Sequence, residues 1–195
     1  TPILYRSRDG LIDWDGVIAS NRETEDGQAL SILSDYMAGH THFGAISSME
    51  YRLDGGWTVG AGIHYQYYST WENEKISDLL GGEWWYEDYE NKSLAGLAGR
   101  NPVKTVGDYI RTDNGKVTNH GTAYLSAGWK SEKVNVNFGA SVFGAATRRW
   151  DKYNYYGGDV WSPLAGGVGG SIKAGALYKT GRGHSLYVNG GWYSR

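Results

Sequence analysis

The densest run of chemistry-bearing side chains is Glu83-Trp84-Trp85-Tyr86-Glu87-Asp88-Tyr89-Glu90. Trp84, Trp85, Tyr86 and Tyr89 are candidate ligand contacts: exposed rings offer apolar area on which a sugar or a flat chelate stacks, and neighbouring carboxylates orient its hydroxyls. The same composition also builds a loop whose aromatics pack on one another as a miniature core. Glu83, Glu87, Asp88 and Glu90 are oxygen donors of the kind Ca²⁺ takes, but they lack the spacing of a calcium loop, and a solvated acidic loop meets the same pattern. His40 and His42 stand two apart in an extended stretch and so point the same way. Two imidazoles leave a metal site incomplete, which favours polar residues at the end of a strand.

Catalytic constellations are missing from the sequence. Residues 166–170 are glycine-rich but lack the Lys-Ser/Thr of a phosphate loop, and neither a Gly-x-Ser-x-Gly elbow nor a His-Glu-x-x-His pair occurs. Ser69 and His64 fall on opposite parities of one strand and make no local dyad. The chain is therefore expected to be no enzyme, with no metal site and no cofactor.

The element that must carry these groups is the stretch 43–69. Phe43, Ala45, Met49, Tyr51 and Leu53 share one face of a first strand, with Gly44, Ser48, Glu50 and Arg52 on the other. Asp54-Gly55-Gly56 supplies the positive φ of a tight turn. Trp57, Val59, Ala61, Ile63, Tyr65 and Tyr67 then oppose Thr58, Gly60, Gly62, His64, Gln66 and Tyr68. Small and aliphatic residues occupy the middle of the apolar face and aromatics its ends. At about 3.3 Å per residue and a tilt near 40°, Trp57 and Tyr67 stand roughly 25 Å apart along a membrane normal, the height of an outer-membrane apolar band. A soluble β-sandwich hairpin with one wet face is the competing reading.

The pattern recurs twice. Gly121, Ala123, Leu125, Ala127 and Trp129, then Val134, Val136, Phe138, Ala140 and Val142 across the turn Ser131-Glu132, form a second hairpin. Ile172, Ala174, Ala176 and Tyr178, then Leu186, Val188, Gly190 and Trp192 across Thr180-Gly181-Arg182-Gly183, form a third. The expected organisation is an extracellular loop over 1–28, a first hairpin over 29–69, a long extracellular loop over 70–118, a second hairpin over 119–150, a loop over 151–166 and a third hairpin over 167–195. Within the loops, Asp13 is expected to cap a short helix through Asn21, Ile76–Leu80 to make a helical turn, and Asp113-Asn114-Gly115 to turn the chain back into a strand.

Composition agrees with this plan. A formal charge of -2 provides no basic field for nucleic acid, and the absence of cysteine removes disulfides. No apolar run is long enough for a spanning helix, while a mean hydropathy of -0.53 does not count against alternating strands. Three short turns on one side and long connections on the other are the asymmetry of periplasmic turns and extracellular loops. Tyr51, Trp57, Trp129 and Tyr178 sit within two residues of the short turns and build an aromatic girdle. The opposite faces, rich in Gly, Ser, Thr, Asn, His and Lys, suit a wet lumen and would make a poor sandwich core. In that setting the sequon Asn91-Lys92-Ser93 carries no meaning, Lys92 is expected outside the cell, and Ser131 on the periplasmic side. Ala61→Arg is expected to cost about 2–4 kcal/mol in lipid, with Gly62→Arg milder on the lumen face if there is room.

The fold class is thus an antiparallel up-and-down transmembrane β-barrel segment. Six or seven strands fall short of the roughly eight a barrel needs to close, so a larger parent barrel is expected, and the isolated chain should associate through its edges.

Asp13-Trp14-Asp15 through Ala19-Ser20-Asn21, the strand from Ile63 to Tyr68 leading to Ile76-Ser77-Asp78-Leu79-Leu80-Gly81, and Gly190-Gly191-Trp192-Tyr193-Ser194-Arg195 resemble the TonB-dependent outer-membrane receptors, especially those of Bacteroidetes. The resemblance runs over nearly the whole chain. It implies a plugged barrel of roughly 22 strands that imports a siderophore, cobalamin or glycan, this chain being a middle portion. It also implies partners: outer-membrane lipid, the remaining strands and plug of the parent, TonB through that plug, and a surface lipoprotein as an optional partner. The rival functions are an outer-membrane barrel enzyme and a soluble carbohydrate-binding β-sandwich.

Overall fold

The computed structural model describes residue 7 and residues 9–89, 99–155 and 158–194. Among the described residues, eight strands follow one α-helix in chain order: α1 (Trp14–Arg22), β1 (Leu33–Leu53), β2 (Trp57–Asp78), β3 (Trp85–Tyr86), β4 (Val103–Lys104), β5 (Tyr109–Lys130), β6 (Val134–Asp151), β7 (Ala165–Gly181) and β8 (His184–Ser194). The helix starts where expected, with the Asp13 carboxylate accepting from the Gly16 amide at 3.0 Å. Six strands form one antiparallel sheet in the order β1-β2-β5-β6-β7-β8, and β3 pairs with β4 in a separate ribbon. Consecutive long strands are neighbours, and β1 and β8 are the sheet's edges.

Each hairpin turn has a local cause. Gly55 and Gly56 take φ of +77° and +86°, and a Cβ on Gly56 would run into the Lys130 carbonyl, so only glycine fits there. Ser131 closes the second turn by accepting from the Val134 amide at 3.0 Å. Arg182 and Gly183 both have positive φ, as a two-residue primed turn requires, and the register slips between Lys179 and Gly181.

Register makes the apolar face continuous. β6 sets Val136 opposite Ala176, Phe138 opposite Ala174 and Ala140 opposite Ile172, and β8 sets Trp192 opposite Ile172 and Val188 opposite Ala176. Trp57 and Trp129 meet on the same face of β2 and β5, ring centres 6.4 Å apart. On the other face the hydroxyls of Ser141 and Ser171 bond at 2.7 Å. There the Tyr124 ring occupies the space beside Gly62, so the room on which a mild effect of arginine at 62 depends is taken up by an aromatic ring.

β2 and β5 are longer than the sequence suggested. β2 continues past Ser69 to Asp78, β5 begins at Tyr109 and not near Asn119, and Ile76–Asp78 is strand where a helical turn was expected. Asp113-Asn114-Gly115 likewise lies inside β5 and makes no turn. The reason is chemical. These extensions show no apolar period because side-chain hydrogen bonds such as Tyr36–Glu72 and Asn114–Glu72 link the strands. Gly115 is a glycine because the Trp150 ring and the Thr70 carbonyl fill the place of a side chain.

The chain divides into two compact units. The sheet unit comprises Thr41–Ser69, Val117–Arg148 and Pro163–Arg195, close to the spanning parts of the three expected hairpins. The loop unit comprises Thr1–His40, Thr70–Lys116 and Arg149–Ser162. Every buried side chain among the described residues belongs to the loop unit, whose core is Ala29, Ile76, Leu79 and Ile110 with Ile32 and Trp85 packed against it.

Asn21, 1% exposed, is the polar hub of that unit. Its amide nitrogen donates to the carbonyls of Ser31, Leu79 and Leu80, and its oxygen accepts from the amides of Leu30 and Ser31. No other side chain of its size offers donors and an acceptor in that arrangement. Asn21→Ala, which strands those groups, is expected to destabilise the unit by about 3 kcal/mol. Denaturant unfolding followed by tryptophan fluorescence checks this, and a midpoint equal to wild type would contradict the assigned role.

Candidate functional site

The four aromatic candidates do not form a shared platform. Trp84 bridges to Gln28, and its indole N–H donates to the Asp26 carbonyl at 2.9 Å. Trp85 packs against the loop unit's core and pairs across the ribbon with Lys104. Tyr89 is buried against Tyr153, ring centres 5.6 Å apart, and donates its hydroxyl to the Asn101 carbonyl. Only Tyr86 among the four is exposed, at 48%. Trp85 and Tyr89 therefore pack as the miniature-core alternative describes, while Trp84 is partly buried and Tyr86 is exposed.

The acidic residues disperse as well. Glu87 is buried and accepts from the amides of Tyr89 and Arg111 and from the Tyr153 hydroxyl. It ties the segment 83–89 to β5 and to the connection after β6. Arg100 reinforces the tie: its guanidinium lies 4.7 Å from the Tyr89 ring centre and donates to the carbonyls of Tyr153 and Asn154. Asp88 is exposed, and Glu90 and the Asn91-Lys92-Ser93 sequon lie outside the described residues. His42 packs edge-on against Tyr68, while His40 is exposed. Among the described residues no group of three or more His, Cys, Asp or Glu side chains comes together around a metal position.

Sequence reasoning missed a polar ladder across β1, β2 and β5. The Tyr36 hydroxyl donates to Glu72 at 2.5 Å, and the Asn114 amide donates to the same carboxylate at 2.9 Å. One step along, Ser34 donates to Glu74 at 2.6 Å, and Arg111 forms an ion pair with it at 2.5 Å. The signal was present in the spacing, since residues 34 and 36, and 72 and 74, share a strand face. It was masked because alternation was sought in hydrophobicity. The ladder presents a hydroxyl, a phenol, two carboxylates, an amide and a guanidinium, all of them hydrogen-bonding groups.

Electrostatics follows from these bonds. The Tyr36 hydroxyl, then the Asn114 amide, hold the Glu72 carboxyl below the ordinary value of 4.5. Its bond to Glu72 holds the Tyr36 phenol above 10.0. Burial pushes Asp113 above 3.8, against the attraction of Lys152. A lowered carboxyl pKa stabilises the fold above the unfolded value and is lost as pH falls through the folded one, whereas the raised phenol pKa acts until pH climbs past its own range. The Tyr36–Glu72 bond is therefore intact at neutral pH and weakens at both extremes. Tyr36→Phe should return the Glu72 carboxyl toward 4.5. Carbon-detected NMR titration of the side chain reads this directly, and an unmoved Glu72 titration would rule out the bond as the cause.

Compared with models of the known protein families and with the curated proteins, the chain finds no match to either.

Proposed function

We propose that this chain is part of an outer-membrane β-barrel whose apolar face meets lipid and whose polar face lines an aqueous lumen, the parent being a TonB-dependent receptor that imports a scarce nutrient. One observation carries the reading: among its described residues the sheet unit buries no side chain. Its apolar face leaves Met49 71%, Leu125 65%, Trp192 63% and Ile63 62% exposed. Uncovered apolar surface of that extent is unfavourable in water and natural against hydrocarbon.

Two further features support it. Tyr51, Trp57, Trp129 and Tyr178 cluster beside the short turns, and the Trp129 indole N–H reaches the Gly55 carbonyl at 3.0 Å, so an amphipathic ring turns its polar edge toward the hairpin end. The edge strands β1 and β8 carry backbone groups that lipid cannot satisfy, which calls for the neighbouring strands of a larger barrel. The choice of receptor class comes from the sequence resemblance. It brings with it the plug, TonB and a surface lipoprotein as partners, and transport without catalysis as the activity.

The decisive comparison uses adjacent, exposed positions on the two faces. Leu125→Arg should cost about 2–4 kcal/mol in a bilayer, and Ser126→Arg on the polar face close to nothing. Equal effects at both sites, measured by unfolding from lipid vesicles, would overturn the assignment of faces. The topology has its own test. On intact cells expressing the parent protein, a cysteine at the exposed Val106 should react with an impermeant maleimide, and one at Ser131 should not. The reverse pattern would invert the insertion.

A further inference from the structure

On the polar face of the sheet unit, strand register builds a grid with one cation at its centre. Lys173, in the middle of β7, stands directly opposite Gly139 of β6 on one side and Gly191 of β8 on the other. Two positions before it on the same face, Ser171 stands between Ser141 and Tyr193, and two positions after it Gly175 is opposite Asn137. The Lys173 stem and the edge of the Tyr193 ring share the space over Gly191, with the lysine Nζ 5.3 Å from the ring centre. The Asn137 amide lies over Gly175. Beside Gly139, by contrast, a Cβ would meet only the Leu125 carbonyl, at 3.9 Å, so the place between Asn137, Ser141 and Lys173 is open.

We infer that this open place binds an oxyanion, the carboxylate or phosphate group of a small solute, with Lys173 as its countercharge. The inference rests on the proposal that this face is wet. Charge carries it: no Asp or Glu occurs between 133 and 150 or between 160 and 195, so the strands around Lys173 bring no carboxylate to it. Among the described residues the ion pairs are Arg52 with Glu50 and Arg111 with Glu74, and Lys173, which is exposed, enters neither. An ammonium without an acid in reach and flanked by neutral donors is complementary to an anion from solution, whereas it repels a metal ion and offers a neutral sugar no charge to use.

The donors match that charge. The hydroxyls of Ser141 and Ser171 bond to each other at 2.7 Å, which uses one of their two O–H groups and leaves the other to donate. Asn137 and Ser141 each lie two residues from Gly139 along β6, about 6.6 Å, a gap that an oxyanion a few ångströms across spans with a hydrogen bond of about 2.8 Å on either side. Glycine at 139 is what leaves the room. A slip of two residues between β6 and β7 would set Lys173 against Asn137 or Ser141 and close the site, so the register of the sheet makes it.

The test titrates the isotope-labelled full chain in detergent with inorganic phosphate and, separately, with acetate, at constant ionic strength, and follows the backbone amides by NMR. Shifts at Gly139, Ser141, Ser171 and Lys173 should saturate with at least one of the two anions, and the one that binds tells a tetrahedral group from a planar one. Lys173→Gln should weaken that binding by about tenfold or more, and Gly139→Val, which fills the open place, should weaken it as well. Lys179→Gln, a cation near the hairpin end, should leave it unchanged. Shifts that fail to saturate with either anion, or an equal loss in Lys173→Gln and Lys179→Gln, would overturn the site. The wild-type titration decides this even where a variant fails to fold. Acylation of Lys173 by a water-soluble reagent, read by mass spectrometry, separates the site from the reading beneath it: a labelled Lys173 without anion binding removes the site and keeps the wet face, and an unlabelled Lys173 removes both.

Discussion

A β-sheet is held in register by its backbone, but whether it persists depends on what lies against its faces. In the sheet unit one face is small, aliphatic and aromatic along all six strands, and among the described residues none of its side chains is buried. In the setting proposed above, the medium acts as the missing layer. Hydrocarbon would do so at no cost to Leu125, Ile63 or Val188, and it forbids unpaired backbone, which would make the edges of β1 and β8 the structure's outstanding demand. Short primed turns, ring pairs near the hairpin ends and small residues at mid-strand suit such a medium.

In the same proposal the loop unit answers to the opposite solvent, water. Among the described residues it holds all the buried apolar side chains, and its buried Asn21 and Glu87 bond to several backbone groups of its irregular segments. Long connections in water are unstable unless they build a core of their own. The aromatics that read as a ligand platform are spent largely on that core, with Tyr89, Tyr153 and Arg100 stacked between connections distant in sequence. Tyr86 is the ring left to face outward.

Each unit also carries polar features made by strand pairing. The Tyr36–Glu72–Asn114 ladder and the His64–His120 contact each join residues from strands that are remote in sequence. Such cross-strand pairs hold sheets together where no hydrophobic period exists. They also place charge and donors in fixed geometry, which a wet surface needs if it is to recognise anything.

Period-two alternation in 43–69 and 119–142 was enough to locate the strands, their faces and their turns, because a residue's side of a sheet is a local property of backbone pleating. The Asp13 cap and the Gly55-Gly56 and Arg182-Gly183 turns were legible for the same reason, since φ and capping depend on near neighbours. The continuation of β2 to Asp78 and of β5 back to Tyr109 was not, because there the stabilising partners are Glu72, Glu74, Arg111 and Asn114 on facing strands. The mid-strand role of Gly115, the burial of Tyr89 and the approach of Tyr124 to Gly62 were likewise settled only by packing. Each depends on which distant residue arrives opposite, a quantity fixed by register and absent from any local pattern.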